Sequence, residues 1–257
     1  MILSYAFCNA SMAPLRSEPS HKAEMVSQLL FGEKAEVLEI NEKDWARIRC
    51  EWDGYTGWCK VGQLSFINKK EYRKEPRYIA DKHNNKLVFE DDDQWIPMGA
   101  DLFGIKHLYK KDGKYKGKKL AVKDLELSPK HIIEAAMQYM NAPYLWGGRS
   151  VAGIDCSGLT QMAFKMCGKA ILRDAAQQAE EGEQVDFLQH ARKGDLAFFD
   201  NDEGKIVHVG ILLDNTSILH ATDTSGRVVI DKIDQGGIIS IALKKRTHKL
   251  RVVKRYC

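Results

Sequence analysis

The sequence has no long apolar run. None of its segments approaches the roughly 18 consecutive apolar residues that a membrane-spanning helix needs. The opening, MILSYAFCNASMAPLRSE, has neither a basic leader nor a long apolar stretch. We therefore expect a chain with no membrane span and no export signal, located in the cytoplasm. A periplasmic or secreted location is the alternative, if a signal peptide has been removed.

The charged residues show no block of one sign. The 257 residues include 39 Lys and Arg against 35 Asp and Glu, a net charge of +4, and both signs are mixed along the chain. Because nucleic-acid binding needs a concentrated basic patch, the sequence predicts no nucleic-acid partner. With 44% hydrophobic residues, a chain of this length can bury two or three compact cores.

The six cysteines include no CxxC pair and no spacing typical of a metal site. We expect neither a zinc knuckle nor a dense disulfide framework, and the thiols suit a reducing compartment. Cys50 and Cys59 flank the segment EWDGYTGW, whose Asp53-Gly54 pair signals a hairpin. These two cysteines could therefore be cross-strand neighbours, with their thiols either reduced or joined.

Short strands separated by turns make up the first half of the sequence. From Pro14 to Phe66 the pattern is typical of a small β-barrel. A second stretch of similar length, with a turn signal at Asp112-Gly113, has the pattern of another small β unit. We expect two all-β domains and a third domain, covering residues 1–66, 67–127 and 128–257.

Helical periodicity begins at SPKHIIEAAMQYM. Ser128 suits an N-cap and Pro129 the first helical position, and the apolar residues that follow recur at helical spacing. A second helix is predicted to begin at Cys156, in GIDCSGLTQMAF. The rest is strand-rich, in GDLAFFD, KIVHVGILLD, SILHATD, RVVIDKI and IISIALKK. Helices followed by a run of antiparallel strands indicate an α+β fold class.

Three residues form a candidate catalytic set. A thiol at a helix start meets unpaired amide groups and the positive end of the helix dipole, so we expect an ionised Cys156 with a lowered pKa. His208 interrupts the apolar strand IVHVGILLD, and His220 lies in the next strand, SILHATD. If these strands pair across a loop with an odd number of residues, both imidazoles lie on one face and can hydrogen-bond.

Acyl transfer by a cysteine uses such a set: a thiolate, a base that faces it, and a third polar group that fixes the tautomer of the base. Two other interpretations stay open on the residues alone. One is a buried structural thiol beside two strand histidines, and the other is a Cys-His-His zinc site.

Several segments resemble those of one enzyme family, both in their residues and in their order along the chain: PYLWGGRSVAGIDCSGLTQMAF, RDAAQQAEEG, KGDLAFF, VHVGILL and ILHAT. The family is that of the NlpC-type cysteine peptidases, which have a papain-like fold and act on bacterial cell-wall peptides. The segments APLRSEPSHKAEMVSQLLFGE and DGYTGW are similar to bacterial SH3-like domains. The order of domains resembles γ-D-glutamyl-L-diamino-acid endopeptidases of the dipeptidyl-peptidase VI type. The resemblance implies a papain-like catalytic domain preceded by two small SH3-like barrels.

The resemblance also implies a role for each candidate residue. Cys156 is expected to be the nucleophile, His208 the general base and later acid, and His220 the residue that orients His208. Tyr144, in PYLWGG, matches a tyrosine near the oxyanion and the substrate. The alternative for Tyr144 is a half-buried aromatic residue at a helix end.

The remaining candidates are expected to contact the substrate. Asp155 and Ser157 flank the nucleophile and match residues that contact the amino-terminal part of the substrate, although either could instead cap the helix. Glu24 and Tyr55, in the N-terminal barrel, are the residues we expect to reach a substrate amine, although Glu24 could instead be a plain surface carboxylate. Ala176 stands in RDAA where related enzymes often have serine, so a hydrogen bond expected from that serine is absent.

The implied activity is thiol-mediated amide hydrolysis through an acyl-enzyme, performed by a monomer without a metal or an organic cofactor. The implied substrate is a murein peptide with a free N-terminal L-Ala, cut between γ-D-Glu and the diamino acid during recycling of cell-wall peptides. One alternative is an autolysin that cuts intact peptidoglycan and uses the barrels as wall anchors. Another is a non-catalytic wall-binding protein.

Overall fold

The chain folds into two compact units. The computed structural model describes residues 1–108 and 113–257, with a first unit from Met1 to Leu125 and a second from Glu126 to Cys257. Asp112 of the expected Asp112-Gly113 turn lies outside the described residues. The further division of the first unit near residue 66 stays a prediction.

The first unit contains a seven-stranded antiparallel sheet with the strand order β3-β2-β6-β5-β4-β1-β7. Residues that alternate along these strands meet in an apolar core, which includes Ala6, Leu15, Val37 and Ile48. The strands are β1 (Ser4–Cys8), β2 (Met12–Arg16), β3 (Met25–Leu30), β4 (Lys34–Ile40), β5 (Trp45–Cys50), β6 (Thr56–Lys60) and β7 (Leu64–Ile67).

Cys50 and Cys59 are not the cross-strand pair that the hairpin signal suggested. Strands β5 and β6 do form the hairpin, but Cys59 lies opposite Ala46, while Cys50 lies opposite Ala35 of β4. Both cysteines are buried in the same apolar core, and neither is part of a disulfide. The expectation of neighbouring thiols was wrong because the strand register, and not the distance along the chain, decides which residues face each other.

A second sheet of three antiparallel strands lies in the same unit, in the order β10-β8-β9. Between the two sheets in sequence is a short helix, α1 (Lys69–Tyr72), whose N-cap Asn68 accepts a hydrogen bond from the backbone of Glu71. The strands are β8 (Tyr78–Val88), β9 (Asp93–Ile96) and β10 (Lys114–Ala121).

The second unit begins with helices. The side chain of Ser128 accepts a hydrogen bond from the backbone of His131, and Pro129 is the first residue of α2, so both predictions for this helix start are confirmed. The helices are α2 (Pro129–Met137), α3 (Cys156–Lys165) and α4 (Ala175–Ala179). Between α2 and α3 lie two short paired strands, β11 (Arg149–Ser150) and β12 (Gly153–Ile154).

An antiparallel sheet follows, in the order β13-β19-β14-β15-β16-β17-β18. Because β19 pairs with both β14 and β18, the strands from β14 to β19 close on themselves. The strands are β13 (Glu183–Val185), β14 (Leu196–Asp200), β15 (Ile206–Leu212), β16 (Ser217–Thr222), β17 (Arg227–Asp234), β18 (Gly237–Ser240) and β19 (Lys245–Arg255). This arrangement confirms the α+β fold class.

The closed sheet has one apolar face that also holds polar residues. Its core contains Phe199, Leu212, Ile218 and Ile233. By strand alternation, His208 shares the face of Leu212, His220 that of Ile218, and Asp231 that of Ile233. Helix α3 contacts β15 and β16.

In residues 1–108 and 113–257, no helix is long and apolar enough to span a membrane.

Candidate active site

Helix α3 begins at Cys156, as the sequence predicted. The preceding residue, Asp155, is its N-cap: Oδ1 accepts from the backbone N–H of Gly158 at 2.7 Å, and Oδ2 accepts from that of Gly147 at 2.7 Å. Gly158 must lack a side chain, because a Cβ atom there would lie 2.2 Å from the backbone oxygen of Gly148. These contacts hold the thiol at the first position of the helix.

Arg173 joins the two residues that flank the thiol. Its guanidinium contacts Oδ2 of Asp155 at 2.6 Å and Oδ1 at 3.1 Å, and it donates to Oγ of Ser157 at 2.8 Å. The Arg173 and Asp155 side chains are 1% and 6% exposed, so this is a buried, bidentate ion pair. Asp155 therefore caps the helix, which was the alternative given for this residue. The substrate contacts expected of Asp155 and Ser157 stay predictions.

The thiol of Cys156 is buried, with 4% of the residue exposed. Burial, and after it the charge of Asp155, raises the pKa of this thiol to about 12, whereas hydrogen bonds from the backbone of Val209 and Ser157 lower it. The expectation of an ionised thiol with a lowered pKa was wrong, because the loss of hydration outweighs the favourable groups at the helix start.

His208 and His220 lie on one face of the sheet and form a pair, as predicted. In the register of β15 and β16, Ile211 lies opposite Leu219 and Leu212 lies opposite Ile218, so an odd number of residues, 213–217, separates the paired positions. Nε2 of His208 is 2.9 Å from Nδ1 of His220, and both residues are buried. Burial, His220 and His248 together hold the pKa of His208 well below 6.5.

The pairing of β15 with β16 ends before the two histidines. Val209, whose backbone hydrogen-bonds to the sulfur of Cys156, also lies beyond the last paired residues. His208 is the neighbour of Val209 in β15, so the start of α3 and the imidazole pair belong to one site. A Cβ atom on Gly210 would lie 2.7 Å from Cδ1 of Ile218 and 3.0 Å from Cβ of His220, so this site needs the glycine.

Two further residues complete the cluster and were not among the sequence-based candidates. Oδ2 of Asp231, in β17, lies 3.3 Å from Nε2 of His220. The ring of His248, in β19, stacks on that of His208 with 4.1 Å between centroids and 24° between planes. A charged residue in the apolar strand RVVIDKI was a signal for Asp231. His248 stands in the polar segment KKRTHKL and had no comparable signal.

Tyr144 lies on the Cys156 side of the site. It forms an isolated parallel bridge with Ile154, and its backbone N–H donates to the carbonyl of Gly226 at 2.8 Å. Burial raises the pKa of its phenol, and Cys156 and Asp155 raise it further. The hydroxyl is therefore a neutral hydrogen-bond donor, as a residue near an oxyanion needs to be.

Glu24 and Tyr55 lie in the first unit. Glu24 is exposed and immediately precedes β3, and Tyr55 is half-buried and immediately precedes β6. The backbone N–H of Tyr55 donates to Oδ1 of Asp53 at 3.0 Å, in the predicted turn. Their role toward a substrate stays a prediction.

Comparison with known proteins gives the family. The pattern of the NlpC/P60 family matches residues 141–247, and that of the bacterial dipeptidyl-peptidase Sh3 domain matches residues 15–64. A γ-D-glutamyl-L-lysine dipeptidyl-peptidase from Bacillus subtilis is 30% identical over 225 residues, which cover 79% of this chain and 74% of that protein. This chain belongs to the NlpC/P60 family. The predicted resemblance, the SH3-like N-terminal region and the cysteine peptidase class are thereby confirmed.

Two further similar proteins match over most of the chain. Dipeptidyl-peptidase 6 from Lysinibacillus sphaericus is 28% identical over 255 residues, covering 88% of this chain and 90% of that protein. The crystal structure of an NlpC/P60 family protein from Bacillus cereus has the same fold, with a TM-score of 0.79, 21% identity and coverage of 98% of this chain and 99% of that one. In the described part of the chain, no group of three or more His, Cys, Asp or Glu residues has metal-binding geometry.

Proposed function

We propose that this chain hydrolyses the bond between γ-D-glutamate and the diamino acid in murein peptides that carry a free N-terminal L-Ala. The observation that carries the proposal is the buried thiol of Cys156 at the start of α3, beside the hydrogen-bonded pair His208 and His220. Relatives that match most of the chain are named as γ-D-glutamyl-L-lysine dipeptidyl-peptidases and dipeptidyl-peptidase 6, which supports this choice of bond.

The thiol and the imidazole are both neutral before the substrate binds, because burial raises the pKa of Cys156 and lowers that of His208. His208 uses Nε2 to contact His220, so its Nδ1 is the nitrogen that takes the thiol proton. As the sulfur attacks the carbonyl carbon of γ-D-Glu, the proton moves to His208 and a tetrahedral oxyanion forms.

Collapse of this intermediate breaks the amide bond. His208 returns its proton to the leaving amine of the diamino acid, and the acyl group stays on the sulfur as a thioester. A water molecule then attacks the thioester, with His208 taking one of its protons and returning it to the sulfur. One product is L-Ala-γ-D-Glu, and the other is the diamino acid with a free amino group where the bond was cut. The thiol is restored.

Two features support stabilisation of the oxyanion. The start of α3 presents backbone N–H groups and the positive end of the helix dipole. The neutral phenol of Tyr144 lies on the same side of the site and can donate a hydrogen bond. Glu24 and Tyr55 are proposed to recognise the free amine, and this role rests on the family resemblance.

The proposed setting is the recycling of released cell-wall peptides in the cytoplasm. The test is to incubate the protein separately with L-Ala-γ-D-Glu-diaminopimelate, with the corresponding Lys peptide and with intact sacculi, and to identify products by mass spectrometry. We expect L-Ala-γ-D-Glu from a free tripeptide and no release from sacculi. Cys156→Ala should abolish the reaction and keep the circular dichroism spectrum. Efficient release from sacculi would instead favour the autolysin.

A further inference from the structure

His220 lies between two polar partners. Its Nδ1 is 2.9 Å from Nε2 of His208, and its Nε2 is 3.3 Å from Oδ2 of Asp231. The side chains of His220 and Asp231 are 1% and 5% exposed. Because water is largely excluded from this contact, each nitrogen of His220 must satisfy the partner it faces.

We propose that Asp231 is a positioning residue that sets the tautomer of His220 and, through it, the position of the proton on His208. The inference rests on the proposed function and adds a fourth member to the set of Cys156, His208 and His220. An ionised carboxylate can only accept a hydrogen bond, so Nε2 of His220 must carry the hydrogen.

The hydrogen on Nε2 of His220 also fixes the tautomer of His208. A neutral imidazole has one N–H group, so Nδ1 of His220 is an acceptor and Nε2 of His208 must donate to it. The Nδ1 atom of His208 then holds a lone pair, which is the state that can take the proton of Cys156. Asp231 thereby keeps His208 in the one neutral tautomer that can act as a base.

Asp231 is itself held in place from a second direction. Its Oδ1 accepts a hydrogen bond from the backbone N–H of Ile241 at 2.8 Å, immediately after the end of β18. Burial raises the pKa of Asp231, hydrogen bonds from His220 and Ile241 lower it, and the pKa is lowered overall. The carboxylate stays ionised and keeps accepting.

The Ile241 contact decides what an amide would do at this position. In Asp231→Asn, the amide oxygen must accept from Ile241, which turns the NH₂ group toward Nε2 of His220. This nitrogen then has to accept, so the hydrogen of His220 moves to Nδ1 and points at His208. The hydrogen of His208 moves to its own Nδ1 and blocks proton transfer from the thiol. Asp231→Ala leaves His220 free to keep the productive tautomer.

The kinetic test compares the two variants on the free tripeptide. We expect Asp231→Asn to lower kcat on the order of a hundredfold or more with little change in KM, and to be less active than Asp231→Ala. A purely structural role predicts the opposite order, because asparagine keeps the shape while alanine leaves a cavity. Asp234→Asn is the matched control, since Asp234 lies in the same strand but pairs with Arg246 at the exposed surface.

A second measurement needs no substrate. In Cys156→Ala protein with ¹⁵N-labelled histidine, NMR should show the hydrogen of His220 on Nε2, and the added Asp231→Asn change should move it to Nδ1. This result separates the two proposals, because the tautomer can be read even if the tripeptide is not cleaved. An Nδ1–H tautomer with Asp231 intact, or an Asp231→Asn variant more active than Asp231→Ala, would overturn the inference.

Discussion

At the scale of single residues, the site combines a neutral thiol with a neutral imidazole. Burial disfavours the charged form of each group, the anion of Cys156 and the cation of His208. It therefore raises the pKa of Cys156 and lowers that of His208. The proton therefore stays on the sulfur until a substrate is attacked. His248 stacks on His208 and restricts the orientation of its ring.

The pH dependence of cleavage follows from His208. Only the unprotonated imidazole can take the thiol proton, and its pKa is held well below 6.5. We expect kcat/KM for the tripeptide to stay level as the pH falls from neutral through 6.5 and to decrease only at clearly lower pH. Circular dichroism at each pH separates loss of the base from unfolding. An acidic limb centred at or above pH 6.5 would contradict this assignment.

At the scale of secondary-structure elements, the start of α3 depends on a distant cation. Asp155 caps the helix, and Arg173, which precedes α4, pairs with the cap inside the protein. The sequence predicted the helix start from local composition alone. The Asp155–Arg173 pair connects residues that only the tertiary fold brings together.

Removal of this cation is expected to destabilise the second unit. Arg173→Met leaves Asp155 buried without its partner, which should lower the free energy of unfolding by about 3–5 kcal/mol. Denaturant unfolding followed by fluorescence measures the change. Arg246→Met is the matched control, because it breaks an Arg–Asp pair of similar geometry at the exposed surface and should change stability little. Equal effects of the two substitutions would contradict a structural role for the buried pair.

At the scale of the whole molecule, the question is what the first unit contributes to catalysis by the second. Residues 15–64 match the pattern of the bacterial dipeptidyl-peptidase Sh3 domain. Glu24 is the carboxylate that we propose to contact the free amine of the peptide. A charge pair with an ammonium group is worth a few kcal/mol when water is excluded.

Blocking that amine is therefore expected to be costly. N-acetylation of L-Ala-γ-D-Glu-diaminopimelate should lower kcat/KM on the order of a hundredfold or more, since the charge pair is lost. Glu24→Gln should weaken cleavage of the free tripeptide and leave the circular dichroism spectrum unchanged. Glu42→Gln, which alters another acidic residue of the first unit, serves as the control. Equal cleavage of the acetylated and free peptides would rule out recognition of the amine.

The amino-acid sequence alone determined those features that depend on neighbouring residues. The start of α2 at Ser128 and Pro129, the start of α3 at Cys156, and the shared face of His208 and His220 all follow from helix caps and from strand alternation. These signals act over a few residues, so they can be read without knowing the fold. The α+β class followed from the order of the same local patterns.

Only the tertiary structure decided the features that depend on register and burial. Strand register separates Cys50 from Cys59, and closure of the sheet in the second unit brings Asp231 and His248 to the histidine pair. Burial raises the pKa of Cys156, against the expectation from its helix position. The physical reason is common to all of them: which groups face each other, and how much water they lose, depends on residues that are distant in the chain.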